Sequence, residues 1–153
     1  MQATSDGTYL QIFVRGALDQ NRPVLLVSDD REDDRPSEVG LPTLNQRLQP
    51  FVKVPWGMVR RLCLPGGEPS DSALLSENAA LWQQLNTRGV YANQENSDPL
   101  QLSLLVRYFN AHKALGMLAE NQGQKELARA HYTGASLIFR DPEIEAGLKR
   151  LRF

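Results

Sequence analysis

The strongest constraint in this sequence lies in its last third. From Leu100 to Leu151 apolar residues recur three and four positions apart, and two breaks divide the pattern into three helices. The first runs over Leu100–Asn121 with Leu102, Leu105, Val106, Phe109, Leu115 and Leu118, and Asp98 is its candidate cap. Asn121-Gln122-Gly123-Gln124 ends it, with Gly123 suited to the left-handed position after a helix. The second covers about Gln124–Phe139 and carries Leu127, Ala128, Tyr132, Ala135, Leu137 and Ile138. Asp141 and Pro142 stop it and open the third, with Asp141 as cap and Pro142 at the first helical position. Ile144, Leu148 and Leu151 then return at helical spacing.

The rest of the chain is more broken. Leu10, Phe13, Val14, Ala17 and Leu18 mark a helical face over Thr8–Leu18, with Asp6 as its cap and Asn21-Arg22-Pro23 as its end. Pro23–Val27 is short, apolar and β-branched, which predicts a buried strand. Residues 28–42 hold Asp29, Asp30, Glu32, Asp33 and Asp34 but not the spacing of a calcium loop, so they predict a solvated loop. Leu44, Leu48 and Phe51 suggest a short helix, and Pro50 and Pro55 force an extended path after it. Gly57–Leu64 alternates apolar and basic residues and predicts a strand that can pair with Val24–Val27. Two strands alone are marginal, so helices must cover them. Pro65-Gly66-Gly67-Glu68-Pro69 is a turn or linker without the Lys-Ser/Thr of a phosphate-binding loop. Ser70 or Asp71 then caps a helix over about Ser72–Thr87, with Leu74, Leu75, Leu81, Trp82 and Leu85, and Arg88–Pro99 is a polar connection.

Charge and length exclude several functions. With 17 basic and 18 acidic side chains in 153 residues there is no basic field, so duplex nucleic acid is not an expected partner. No apolar run reaches the ~20 residues of a membrane span, and MQATSDG has neither the basic nor the apolar part of a signal peptide. Whether Met1 is the natural start is left open by the sequence. Cys63 has no cysteine to pair with in the chain and no catalytic motif around it, which predicts a buried, inert thiol. His112 and His131 lie on successive helices and could face each other, although His131, next to the packing residue Tyr132, is expected to point outward. Neither has the ligand spacing of a zinc site, so no metal and no cofactor are expected.

Phe109–Ala135 resembles a tetratricopeptide repeat, an antiparallel helix pair of 34 residues. Leu115-Gly116 stand for its Leu-Gly pair, Gly123 for its turn, and Ala128, Tyr132 and Ala135 for its packing positions. Gly116 and Ala128 are small where two helices would cross closely, with Tyr132 and Leu115 filling the space beside them. His112 departs from the Trp usual in the repeat, Ala119 from its Tyr, and its Pro arrives late, at Pro142. A single degenerate repeat, about 106–140, is visible, and one repeat cannot bury its own faces. The helix after Ser70 is a neighbour that could cover it.

A second resemblance covers much of the remainder. Asn21-Arg22-Pro23-Val24-Leu25-Leu26-Val27, then Gly40-Leu41-Pro42, then Val54-Pro55-Trp56-Gly57-Met58-Val59-Arg60-Arg61-Leu62, are similar to the soluble C-terminal portion of GT-C-type, protein O-mannosyltransferase-like bacterial membrane proteins. The resemblance implies a domain of a membrane protein, placed on the extracytoplasmic face; without it, a cytoplasmic location is expected. That family's catalytic acidic residues belong to membrane-embedded loops, so none carries over to this chain.

Together these readings predict a mainly helical α+β fold. A small two-stranded α/β subdomain over 1–69 precedes a helical subdomain over 70–153, built from a tetratricopeptide-like antiparallel hairpin and a capping helix. The expected function is non-catalytic: an interaction or regulatory module for a protein or peptide, with homo-oligomerisation through helical faces as a further expectation. Arg107, Lys113, Lys125 and Arg129 are basic positions able to clamp an acidic peptide terminus, and His112, Trp56 and Trp82 are candidate partner contacts. Two alternatives stay open, a stand-alone adaptor or chaperone that binds peptides and an enzyme with dispersed catalytic groups.

Overall fold

In a computed structural model of the chain, residues 5–27, 42–84 and 99–152 are described. The acidic loop, the connection over 88–98, Leu85 and the cap Asp98 fall outside them. Among the described residues the fold is mainly helical α+β. Its elements are α1 (Ser5–Asp19), β1 (Val24–Leu26), α2 (Leu44–Arg47), β2 (Val52–Trp56), β3 (Val59–Cys63), α3 (Asp71–Gln84), α4 (Pro99–Asn121), α5 (Lys125–Ser136) and α6 (Pro142–Arg150). The chain divides into two compact units, Met1–Val54 with Val59–Glu68 and Pro55–Met58 with Pro69–Phe153.

In the first unit α1 begins at Ser5, so Asp6 lies inside the helix rather than before it. The helix ends as Asn21-Arg22-Pro23 predicts. Asn21 takes φ 55, its N–H donates to the Leu18 carbonyl, and the Arg22 N–H donates to that of Ala17. That paired closure satisfies carbonyls a helix end leaves open. α2 is one turn long and carries a reciprocal cap. The Thr43 hydroxyl accepts from the Gln46 N–H (3.2 Å) and the Gln46 side chain accepts from the Thr43 N–H (2.9 Å). Gln11 donates to the carbonyls of Gln49 (2.7 Å) and Arg47 (3.2 Å), fastening α1 to the end of α2.

The antiparallel sheet has the order β1-β3-β2. Val24 pairs with Leu62, Leu25 with Arg61 and Leu26 with Arg60, the pairing anticipated between the two expected strands. Two expectations need correction. β1 is an edge, with Leu25 exposed, because β3 and not β1 takes the centre of the sheet. A third strand, β2, occupies the stretch read as merely extended. Pro55 lacks the N–H a central strand needs, but an edge strand accommodates it. β2 and β3 join through two residues, and Gly57 supplies the positive φ (58°) that so tight a hairpin requires at its first loop position. The core of the unit is Val14, Leu48 and Leu62, ringed by Leu10, Leu18, Val24, Leu26, Leu44 and Phe51. Phe13, expected on the buried face of α1, points to solvent. Cys63 is buried with a free thiol, as expected.

The second unit is helical. α5 packs against α4, α6 against α5, and α3 against α4. α3 starts where Ser70 accepts from the Ala73 N–H (3.3 Å), and α6 where Asp141 accepts from the N–H groups of Glu143 (2.9 Å) and Ile144 (3.1 Å). α4 ends at Gly123, whose φ of 70° lets its N–H reach the Glu120 carbonyl and the Gln124 N–H that of Ala119. Leu75, Leu105, Tyr108, Phe109, Leu115, Ala119, Ala128, Tyr132, Ala135, Ile138, Ile144 and Leu151 form its core. The hairpin tip belongs here through Asn78, which is fully buried. Its side chain accepts from the Gly57 N–H (2.7 Å) and donates to the carbonyls of Pro55 (3.0 Å) and Leu74 (2.8 Å). Every hydrogen-bonding direction it uses is met inside the unit, which is what a buried amide demands.

Candidate functional site

The helical unit concentrates the sequence-predicted site residues, and it is organised around Tyr132. A Cβ at Gly116 would lie 2.5 Å from one edge of the Tyr132 ring, and one at Gly147 would lie 2.6 Å from the other. The ring is therefore clamped between the backbones of α4 and α6, and only glycine leaves it room. Gly116 was legible as a close crossing; Gly147 was not, because a lone glycine in a short helix carries no such signal. The Tyr132 hydroxyl donates to Glu120 (2.7 Å), and Glu120 takes Arg150 in a two-pronged pair (2.8 and 2.9 Å). Arg150 holds the Glu120 carboxyl below its usual range against the opposing effect of burial, and burial with Glu120 pushes the Tyr132 phenol up. One carboxylate thus ties three helices together.

A second cluster lies where α3, α4 and α5 meet. The Trp82 and His112 rings stack at 4.3 Å and 28°. Tyr108 leans on Trp82 at 5.8 Å, and His131 stands edge-on to it at 6.1 Å. His112 Nδ1 and His131 Nδ1 are 3.0 Å apart, within hydrogen-bond reach. His131 therefore points into the unit rather than outward. Gly134 makes the room, because a Cβ there would meet the His112 ring at 2.8 Å. Burial, and then the neighbouring His131, lower His112 to about 4, and burial lowers His131. At neutral pH both rings are neutral, one Nδ1–H donating to the other Nδ1. A zinc ion would need further ligands, and among the described residues no group of three or more His, Cys, Asp or Glu is placed to hold a metal.

The basic candidates separate. Lys113 is committed to the start of α6, 3.0 Å from Asp141 and 2.7 Å from Glu143. Burial opposes its charge, but the two carboxylates outweigh burial and raise its pKa. Arg129 donates to the Leu151 carbonyl and pairs with Glu126 at 3.5 Å. Both make ties inside the unit. Lys125 is exposed at the first position of α5, and Trp56 is half-buried at the end of β2, on the hairpin tip. Arg107 differs from these, since its Nη1 is buried without a hydrogen-bond partner among the described residues, as is the Trp82 Nε1. Leu100, Leu102, Met117 and Leu137 stay exposed on the same unit.

No helix among the described residues is long and apolar enough to cross a membrane. Comparison with protein-family models, with curated proteins and with solved structures finds no match to this chain.

Proposed function

We propose that the helical unit is a protein-interaction module of tetratricopeptide-like build, whose partner is a peptide with an acidic end. The observation that carries this reading is that two buried N–H donors of the helical unit, at Arg107 and Trp82, have no partner among the described residues. An unmet buried donor is costly, and a bound acceptor removes the cost. The surrounding side chains support the same reading. Lys113, Glu120, Arg129 and Arg150 hold the helices in place, and Leu100, Leu102, Met117 and Leu137 offer apolar surface to a partner. The likeness to the C-terminal portion of GT-C-type membrane proteins adds a context, a module docking partners for a membrane-embedded enzyme.

The test is a titration of the full chain with synthetic ten-residue peptides ending in acidic residues, followed by tryptophan emission. We expect saturable binding that weakens with salt, as a charge contact must, and that Arg107→Ala abolishes with the fold intact by circular dichroism. Emission that no peptide of the series changes overturns the acidic-peptide reading. For the membrane context, the coding DNA upstream of Met1 would continue in frame through several ~20-residue apolar segments; a natural start at Met1 removes it.

A further inference from the structure

We propose that the N-terminal unit is a docking surface for a second copy of this chain, joined through the free edge of β1 and the apolar face of α1 beside it. This rests on the first unit alone and is independent of the function proposed for the helices.

Among the described residues the sheet order leaves two edges, β1 and β2. β2 carries Lys53 and Pro55, two of the devices that keep a natural sheet edge from pairing further. β1 carries neither. Val24-Leu25-Leu26 and the following Val27 hold no charge and no proline, and Leu25 and Val27 are 47% and 64% exposed. Arg22 and Pro23 stand just before the strand and line the groove beside it, but Val24–Val27 itself is an apolar edge, a template for another strand.

The helix beside that edge repeats the signal. A groove of about 530 Å³ runs between Ile12, Phe13, Gly16 and Ala17 of α1 and Val24 and Leu25 of β1. Ile12 is 63% and Phe13 70% exposed, and Tyr9, one turn away on the same side of α1, is 70% exposed. A Cβ at Gly16 would meet nothing within 4 Å, so no contact inside the chain calls for glycine there, and its lack of a side chain keeps the groove floor low.

The area selects the occupant. With whole aromatic side chains presenting ~150–250 Å², Tyr9, Ile12 and Phe13 leave about 400 Å² open on α1, within the ~300–600 Å² of the largest patch a monomer usually exposes. With Leu25 and Val27, which alternate to the other side of the edge strand from Val24 and Leu26, the exposed apolar surface totals about 600 Å². It is most of the ~800 Å² per partner that a stable dimer buries, and the strand backbone supplies more. A two-fold axis near Leu25 would set β1 antiparallel to its own copy and bring the two α1 faces together, so one surface serves both sides.

Sedimentation velocity on the full chain over about 1–200 µM tests this. We expect a monomer–dimer equilibrium, with Ile12→Lys raising the dissociation constant about tenfold or more while circular dichroism stays unchanged. Leu25→Cys, a milder change, should form a disulfide-linked dimer with oxidised glutathione, and Leu137→Cys on the helical unit should not. A chain monomeric across the range assigns the surface to some other partner and overturns the proposal. So does a dimer that Ile12→Lys leaves intact, or equal cross-linking of the two cysteine variants.

Discussion

The two units solve the same problem with unequal means. Among the described residues the core cluster of the helical unit holds twelve buried side chains and that of the sheet unit three, with Val54 and Cys63 also buried in the sheet unit. The helical unit also ties its crossings with polar groups at Glu120, Asp141 and Asn78, each hydrogen-bonded inside the unit. The sheet unit leaves Phe13, Ile12 and Leu25 in water. Buried apolar area is the main source of stability, and a unit with so small a core has little to spare. Both units present apolar side chains to solvent, and the difference teaches that the helical unit does so from a well-filled core and the sheet unit from a small one.

Perturbing each core should expose that inequality. The largest effect is expected from Tyr132→Ala, which empties the space between Gly116 and Gly147 and releases Glu120; it should cost about 3–5 kcal/mol by denaturant unfolding. An unshifted midpoint would mean that the ring is not the keystone of the helices. Leu62→Ala removes one of the three core side chains of the sheet unit and should cost about 2–4 kcal/mol. It should show as lost amide protection in β1 and β3, with α4 and α5 still protected, and loss spread evenly over the chain would contradict two separate cores.

Acid should act on the helical unit, because both histidines of the chain lie there. Above pH 6.5 they are neutral in folded and unfolded states alike, so they contribute no pH dependence. Between 6.5 and about 4 the unfolded chain takes up protons that buried His112 refuses, so the histidine contribution falls with pH and levels off below about 4, where protonation of the lowered Glu120 and Asp141 carboxylates continues the loss. Allowing for partial solvation, the histidine share of the loss should be about 2 kcal/mol. Histidine proton resonances titrating near 6.5 in the folded chain would contradict the burial of the pair.

The smallest effects belong to the caps. Asp141→Ala should cost about 1–2 kcal/mol, since it removes the cap of α6 and a partner of Lys113 together, whereas Thr43→Ala should cost about 1 kcal/mol. Equal costs would indicate that the Lys113 contact adds nothing.

How much of this was legible follows from what each residue signals locally. Asp141-Pro142, Gly123 and Asn21 announce helix ends because their backbone chemistry is local, and the structure places an end at each. The β1–β3 pairing was legible from two apolar runs. The edge position of β1 was not, since a short apolar strand looks the same at an edge as at the centre until its neighbours are known. β2 escaped because proline argues against a strand in sequence, and only the sheet order shows Pro55 at an edge. The exposure of Phe13 escaped for a related reason, since periodicity marks an apolar face but not how wide a neighbour covers it. At the candidate site, Trp82, His112 and Arg107 could be named from sequence. The inward turn of His131 is set by its contact with His112, whose ring needs the room at Gly134, and the commitment of Lys113 by Glu143, and both are tertiary facts.

The most direct test of the inequality between the units is amide hydrogen exchange on the full chain at two concentrations, one below and one above the proposed dimer's dissociation constant. The account predicts that α4 and α5 amides around Leu105, Leu115 and Ala128 exchange slowest and at the same rate in both samples. The β1 amides of Val24–Leu26 should exchange faster in the dilute sample and gain protection in the concentrated one. β1 amides as protected as those of α4, and indifferent to concentration, would contradict it.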